Sequence, residues 1–528
     1  MKIFPKYNFL SNSRKNFSGN IWKAFKVSDS LFDKNLSLFI FSVIYYGIII
    51  FLSGYLNVWE DEIYSLNTSS GTLQYALHQS INFESQPPVY FLLLTIWRFI
   101  SDSVLWARLL NVFLIFISQI LIYRFVIKVA NRRIATISAI LLLLNPTTVF
   151  TLFEIRLFAL LILLSLVIII SFYNTYYNNE ITPGKRILFI LFAIIGLFTQ
   201  FFFGFLLFAN AVSLLIEKKK RIFWLYILDM ILPVCLVLLY IPQILLSINV
   251  QTSLVPVPHE TLASSLFEVS RVLFNRIMLY TIALTFVYSA LKIWIVRAIL
   301  MILLFISLNY DGIKKSSRSL LPIFIVSLVI CFFFAIIHCL FGAEYSAYKY
   351  TTILFMPLFI LLAFVLRLIK QRFLYFWLIL LASFYLTSNF DKYRELYKRT
   401  DYVLLSNDLE KNEKKEEPIF VYRNISADIL RLYYRGTNKI IPFPEAISYN
   451  KQFGPESWLI KDQDIKKLDE TLTKDHNFYI IIVDDSGLRG FNESRNILMD
   501  FLLNNFKLIK EKSYKGRTIL YEFSGKTD

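Results

Sequence analysis

Residues 36–66 read LSLFIFSVIYYGIIIFLSGYLNVWEDEIYSL. The first 21 positions, 36–56, carry no charge, and as a helix they are long enough to cross roughly 30 Å of hydrocarbon. Directly behind them, in VWEDEIYSL, stand three consecutive carboxylates, Glu60, Asp61 and Glu62. A membrane span that empties into a knot of acid sets the terms for the rest of the chain.

The composition extends that reading. Of 528 residues 56% are hydrophobic and only 18% charged, which excludes an ordinary soluble enzyme and points to a polytopic α-helical membrane protein surrounded by membrane lipids. Apolar runs recur to about residue 388 and then stop. From 391 onward 24 Lys and Arg face 23 Asp and Glu, so nearly all of the net charge of +17 lies in the membrane half. There it forms short basic clusters between apolar runs, the pattern of cytoplasmic loops, and gives no reason to expect a nucleic-acid partner. Cys235, Cys331 and Cys339 all lie in apolar segments and read as small buried hydrophobes.

The basic clusters fix a topology. The polar, basic segment 1–35 precedes the first span and reads as cytoplasmic, which puts VWEDEIYSL outside. No Lys or Arg occurs between Lys34 and Arg98, whereas Glu60, Asp61, Glu62 and Glu84 do. Clusters at Arg124–Arg133, Lys185/Arg186, Lys218–Arg221, Lys314–Arg318 and Arg367–Arg372 then alternate with outer loops near 152–157, 200–204, 247–280 and 342–349. About 11 spans result, or 13 if residues 270–297 cross twice. The segment PPVYFLLLTIWRFI (87–100) is short and opens with two prolines, so it reads as a helix lying in the outer interface. The domain bounds are then a membrane domain over 36–390 with a large outer loop at 57–103, and an extracytoplasmic α/β domain over 391–528.

In that tail PIFVYR (418–423), KIIPF (439–443), FYIIIV (478–483) and RTILYEF (517–523) read as strands. Residues 426–436 and 493–506 read as helices, the second with Asn492 as N-cap. No glycine-rich phosphate loop is present. Two acidic motifs read as structural: KDQD (461–464) as a solvated surface segment, and Asp484/Asp485 as a strand end without further ligands. His78 and His259 lie in outer loops without zinc-site spacing.

The outer loops hold ionisable residues that packing does not require. Glu60, Asp61, Glu62 and Glu84 lie in the first; Glu154 and Arg156 lie in TLFEIRLFALL; Lys349 and Tyr350 lie in SAYKYTTILFMP. Charges at membrane depth are costly unless paired, which marks them as functional candidates, with interfacial salt bridging as the plainer reading of any one. A carboxylate among them can take a proton from an attacking hydroxyl. The cations can hold an anionic leaving group such as a phosphate.

In order, WEDEIYSL, FESQPPVYFLLLTIWRFISDSVLWARLL, FEIRLFALL, GLFTQFFFGFLLFAN and YKYTTILFMP resemble the motifs of multi-spanning glycosyltransferases of the GT-C class. They resemble the branch that contains protein O-mannosyltransferases and the bacterial lipid A aminoarabinose transferase. The resemblance implies a GT-C fold and an inverting transferase, metal-sparing or metal-optional, using a polyprenyl-phosphate sugar donor and a lipid, glycan or protein acceptor. By position it makes Asp61 the catalytic carboxylate, with Glu62 supporting it or helping to bind the acceptor, and lines the cavity with Glu84 and Glu154. It places Arg156, Lys349 and Tyr350 at the donor phosphate. Gln200 stands where related sequences often have His, and Lys349 where they often have Arg; Lys keeps the charge and loses the bidentate fork. Arg108 matches a recurrent arginine for which an interface role is equally expected. The expected protein is thus a glycosyltransferase of the bacterial inner membrane acting at its extracytoplasmic face. The rival reading is a transporter or flippase of lipid-linked sugars, which would call for an internal repeat and mid-span charges.

Overall fold

The computed structural model describes residues 35–528 except 243–244, 246–261, 284–289, 342–347, 398, 413, 415–416, 448–457, 473–476, 485–489 and 527–528; for 262–267, 290–294, 313–320, 340–341, 348–349 and 525–526 it describes the backbone only. His259, Asp485 and the segment 1–34 therefore lie outside the described residues.

Among the described residues six helices are long and apolar enough to cross a membrane, beginning with Leu36–Ser53 and Val104–Val129. A seventh is counted if the pair Arg132–Leu144 and Pro146–Leu152, bent by 54°, is one broken span. Four shorter apolar helices, Val89–Arg98, Phe203–Ile216, Ile295–Ser307 and Thr352–Leu368, accompany them. The chain is an integral membrane protein. Its first two spans are joined by polar side chains that satisfy one another away from water: Gln119 donates to Ser42 Oγ at 2.7 Å and accepts from the Tyr46 hydroxyl at 3.2 Å.

The bend has a local cause. At Asn145-Pro146 the proline cannot donate into the preceding turn. The Asn145 side chain caps the new helix by accepting from Thr147 N at 2.9 Å, and its amide donates to Tyr280 O and the Tyr385 hydroxyl. The half-helix Pro146–Leu152 then ends in the irregular segment 153–157. Asn111, in the middle of Val104–Val129, donates to Thr151 O at 3.0 Å and to Glu154 O. Non-helical backbone at this depth is stable only when its polar groups find such partners.

Between the first two spans lie three short helices, Glu60–Thr68, Leu73–Asn82 and Val89–Arg98. The third is the expected double-proline helix, and at 10 residues it is short for a span. Trp97 and Trp106 stack at 4.9 Å and each indole N–H donates to the other's carbonyl at 2.8 Å, closing the return into the second span.

Helix Gln371–Tyr397 carries the chain across residue 390 into the α/β domain. Five strands, β1 (Ile419–Tyr422), β2 (Ile440–Phe443), β3 (Phe478–Val483), β4 (Phe506–Tyr514) and β5 (Thr518–Lys526), form one sheet in the order β2-β1-β3-β5-β4. β2, β1 and β3 run parallel, and β5 is antiparallel to β3 and β4. Strand period two splits the buried residues between two cores. Ile419, Val421, Tyr479 and Ile481 join the apolar core of the membrane helices, while Phe420, Tyr422, Phe478, Ile480 and Ile482 pack under helices Asp462–Thr471 and Phe491–Asn505. The sheet is therefore continuous on one face with the membrane domain.

Several local expectations are corrected. Helix Phe491–Asn505 starts at Gly490 (φ 76°), two residues before Asn492, so Asn492 is not its cap. The KDQD segment lies at the surface as expected, with Lys461, Asp462 and Gln463 exposed, but it also opens a helix, where the buried Asp464 accepts from Lys461 N at 2.8 Å. Cys235 is exposed on Lys220–Leu238, where the neighbours of a spanning helix would be lipid. β4 has no counterpart among the expected strands; it is a lysine-bearing edge strand whose composition hides it.

The β4–β5 turn packs on the linker after the last long helix. Thr518 and Thr400 hydroxyls bond at 2.9 Å, and Gly516 (φ 73°) lies so close that a Cβ there would meet Thr400 N at 2.4 Å. Gly516→Ala is expected to destabilise the protein by about 1–3 kcal/mol, from overpacking added to a left-handed backbone. Thermal unfolding in detergent with an unchanged midpoint would contradict this contact.

Candidate active site

Successive residues of an α-helix point about 100° apart, so three consecutive acids at a helix start cannot face one target. In Glu60–Thr68 each finds a different guanidinium. Glu60 pairs with Arg423, which immediately follows β1. Asp61 lies 3.7 Å from Arg156. Glu62 is fully buried and takes Arg108 in a two-pronged grip at 3.0 and 2.9 Å.

The Glu62 carboxylate is also bonded by Ile155 N at 3.1 Å and Trp59 N at 3.3 Å. Arg108 in turn donates to the carbonyls of Ser53 and Leu56, at the end of the first span. One buried pair thus joins the first span, the acidic helix, the second span and the 153–157 segment. Arg98 adds a further tie, donating to Leu66 O and Ser69 Oγ.

Asp61 differs from its neighbours by staying open, with 40% of its side chain exposed. Facing it, Arg156 is buried and shared. Its guanidinium donates to Asp61 O at 3.2 Å and Ser65 Oγ at 3.3 Å, and lies 3.7 Å from the Glu84 carboxylate. Glu84 is held by Thr68 (3.4 Å) and Gln86 (3.3 Å). Burial pushes the Glu84 carboxyl up to about 7 against the opposing pull of Arg156, with Asp61 nearby adding to the rise. Glu154 is also driven up to about 7 by burial, against the pull of its partner Arg399. Burial works against the charge on Arg156 too, but the carboxylates around it prevail and its pKa is raised.

Of the residues expected from the sequence, Asp61, Glu62, Glu84, Glu154 and Arg156 are thus brought into one cluster. Gln200 lies buried in the turn 198–202, whose Phe198 carbonyl accepts from Val89 N at the double-proline helix. Tyr350 sits beside the same turn, its ring 4.8 Å from that of Phe202. Lys349 belongs to the short helix Tyr348–Thr351, with its side chain outside the described residues. Two members, Arg399 and Arg423, are not among the expected residues. Nothing in their local sequence marks them. The clue is the charge balance: the five acids outnumber the arginines near them in sequence, Arg98, Arg108 and Arg156, and so need cations from elsewhere. Among the described residues no group of three or more His, Cys, Asp or Glu is gathered to hold a metal ion; the acids of this cluster face guanidinium groups.

The fold and this cluster define a polytopic membrane protein carrying an acid–arginine cluster at the end of its first span. No family model and no curated protein matches the chain. Among solved structures it is similar to ArnT, the lipid A aminoarabinose transferase, from Cupriavidus metallidurans. The apo structure aligns with a TM-score of 0.54 at 10% identity, covering 92% of this chain and 97% of that one. The structure bound to undecaprenyl phosphate aligns with a TM-score of 0.55 at 9% identity, covering 93% and 98%. What is shared at that identity is the fold, over nearly the whole of both chains.

Removing one member of a buried pair strands the other's charge. Arg108→Ala is therefore expected to destabilise the protein by about 3–5 kcal/mol. Thermal unfolding in detergent checks it, and a midpoint equal to that of the unaltered protein would remove the pair from its structural role.

Proposed function

We propose that this protein is a glycosyltransferase that moves a sugar from a polyprenyl-phosphate donor to a lipid, glycan or protein acceptor at the extracytoplasmic face of the bacterial inner membrane. The observation that carries this reading is the Asp61–Arg156 pair, an open carboxylate 3.7 Å from a buried guanidinium. The fold shared with ArnT, one structure of which holds undecaprenyl phosphate, supports the donor class.

In this reading Asp61 takes the proton of the acceptor hydroxyl as its oxygen attacks the anomeric carbon. The new carbon–oxygen bond forms on the face opposite the departing phosphate, so the anomeric configuration inverts. The carbon–oxygen bond to phosphate breaks with its electron pair leaving on the phosphate, where Arg156 and Lys349 stabilise the charge. Glu62, with its oxygens committed to Arg108 and two backbone N–H groups, fixes the helix that presents Asp61. Glu84 holds Arg156 until the donor arrives; Gln200 and Tyr350 line the donor side.

Two measurements test this. Asp61→Asn is expected to insert normally and to keep donor binding while transfer in reconstituted vesicles falls about 100-fold or more; near-normal turnover would end the assignment. Glu84 supplies a pH test. Below about 7 its carboxyl takes up a proton and releases Arg156 to the donor phosphate, so the donor KM of the unaltered protein falls as pH drops through 7. In Glu84→Gln the KM is low throughout and this dependence disappears. A pH dependence identical to that of the unaltered protein would refute the role of Glu84.

A further inference from the structure

Two arginines outside the membrane helices reach into the acidic cluster. Arg399 follows the last long helix; it donates to Glu154, whose side chain is 1% exposed, and its guanidinium lies 4.2 Å over the ring of Trp59. Arg423 leaves the end of β1 with a left-handed backbone (φ 53°) and pairs with Glu60. The Tyr433 hydroxyl adds a contact of another kind, accepting from Val58 N at 2.8 Å. Tyr433 in turn stacks on Tyr402 at 6.1 Å.

The positions gripped are informative. Glu60 is the residue before Asp61. Glu154 is two residues before Arg156, and Arg156 N donates back to Glu154 O at 2.9 Å, so the two move as one turn. Trp59, under Arg399, adjoins Glu60. Each arm of the Asp61–Arg156 pair is therefore held, one or two residues away, by a cation supplied from beyond the last membrane helix. Resting on the transferase reading above, we infer that Arg399 and Arg423 are positioning residues of the transfer site, and that the C-terminal α/β domain is a working half of that site. They act on the separation of Asp61 and Arg156 through neighbouring residues. An ångström of displacement in such a pair is enough to change a rate about 100-fold.

A merely structural attachment makes a different prediction, because Tyr433 serves the same interface without touching a carboxylate. The test compares Arg399→Gln with Arg423→Gln in one chain, Arg399→Lys, and Tyr433→Phe, all in the full-length protein in vesicles. The double variant is expected to lose about tenfold to 100-fold in kcat with little change in donor KM. Arg399→Lys recovers part of the loss because the charge returns without the planar face that stacks on Trp59. Tyr433→Phe stays within about twofold of the unaltered rate. Hydrogen–deuterium exchange supplies a readout that needs no activity: residues 59–68 and 153–157 exchange faster in the double variant while β1 and β3 stay protected. Unchanged exchange in both segments, or an equal kcat loss in Tyr433→Phe, would overturn the inference. Absence of sugar transfer by the unaltered protein would end the transferase reading instead, and the exchange comparison would then decide the positioning claim by itself.

Discussion

Everything on this face of the molecule depends on the buried pair between Glu62 and Arg108. Two charges withdrawn from water are expensive unless each is fully hydrogen-bonded, and here they are. The carboxylate receives two guanidinium N–H groups and two backbone N–H groups, and Arg108 also caps the carbonyl end of the first span. These bonds fix the angle at which Glu60–Thr68 leaves the membrane helix. They also dock the 153–157 segment, since Ile155 N is one of the four donors. Asp61 and Arg156 meet because their neighbours Glu62 and Ile155 are already joined.

A second constraint comes from the membrane side. The segment that bears Glu154 and Arg156 follows a half-helix broken at Asn145-Pro146, and its carbonyls are held by Asn111 from the second span. Broken helices at membrane depth are sustained only by such side-chain partners. Rigid spans thus carry an irregular turn whose guanidinium can be aimed, and chemistry that needs a fixed cation benefits from that rigidity.

Much of this is legible in the sequence, for identifiable reasons. Apolar length announces the spans, and short β-branched and aromatic runs announce four of the five strands. The acids at 60–62, 84 and 154 stand out because nothing apolar requires them. What cannot be read is partnership. Helical geometry sends Glu60, Asp61 and Glu62 in three directions, yet which arginine answers each depends on contacts 46 residues away for Glu62, 95 for Asp61 and 363 for Glu60. β4 is hidden by the lysines that keep an edge strand from pairing with strangers. The helix break does carry a local signal, an Asn-Pro dipeptide inside an apolar run, whose meaning lies in the segment it delivers.

The charge count of the cluster explains why so basic a chain concentrates acid at this point. Five carboxylates, Glu60, Asp61, Glu62, Glu84 and Glu154, are met by four guanidinium groups, those of Arg108, Arg156, Arg399 and Arg423. Arg108, Arg399 and Arg423 each grip one carboxylate of the cluster closely, and they build the fold. Arg156 is instead divided between two, Asp61 and Glu84, at the looser separation of 3.7 Å from each. A guanidinium shared at that distance is the one an incoming phosphate can win with tighter, bidentate bonds. The pairs that hold the structure and the pair that can change partners are thus made from the same kinds of residue. What separates them is how closely each arginine holds its carboxylate.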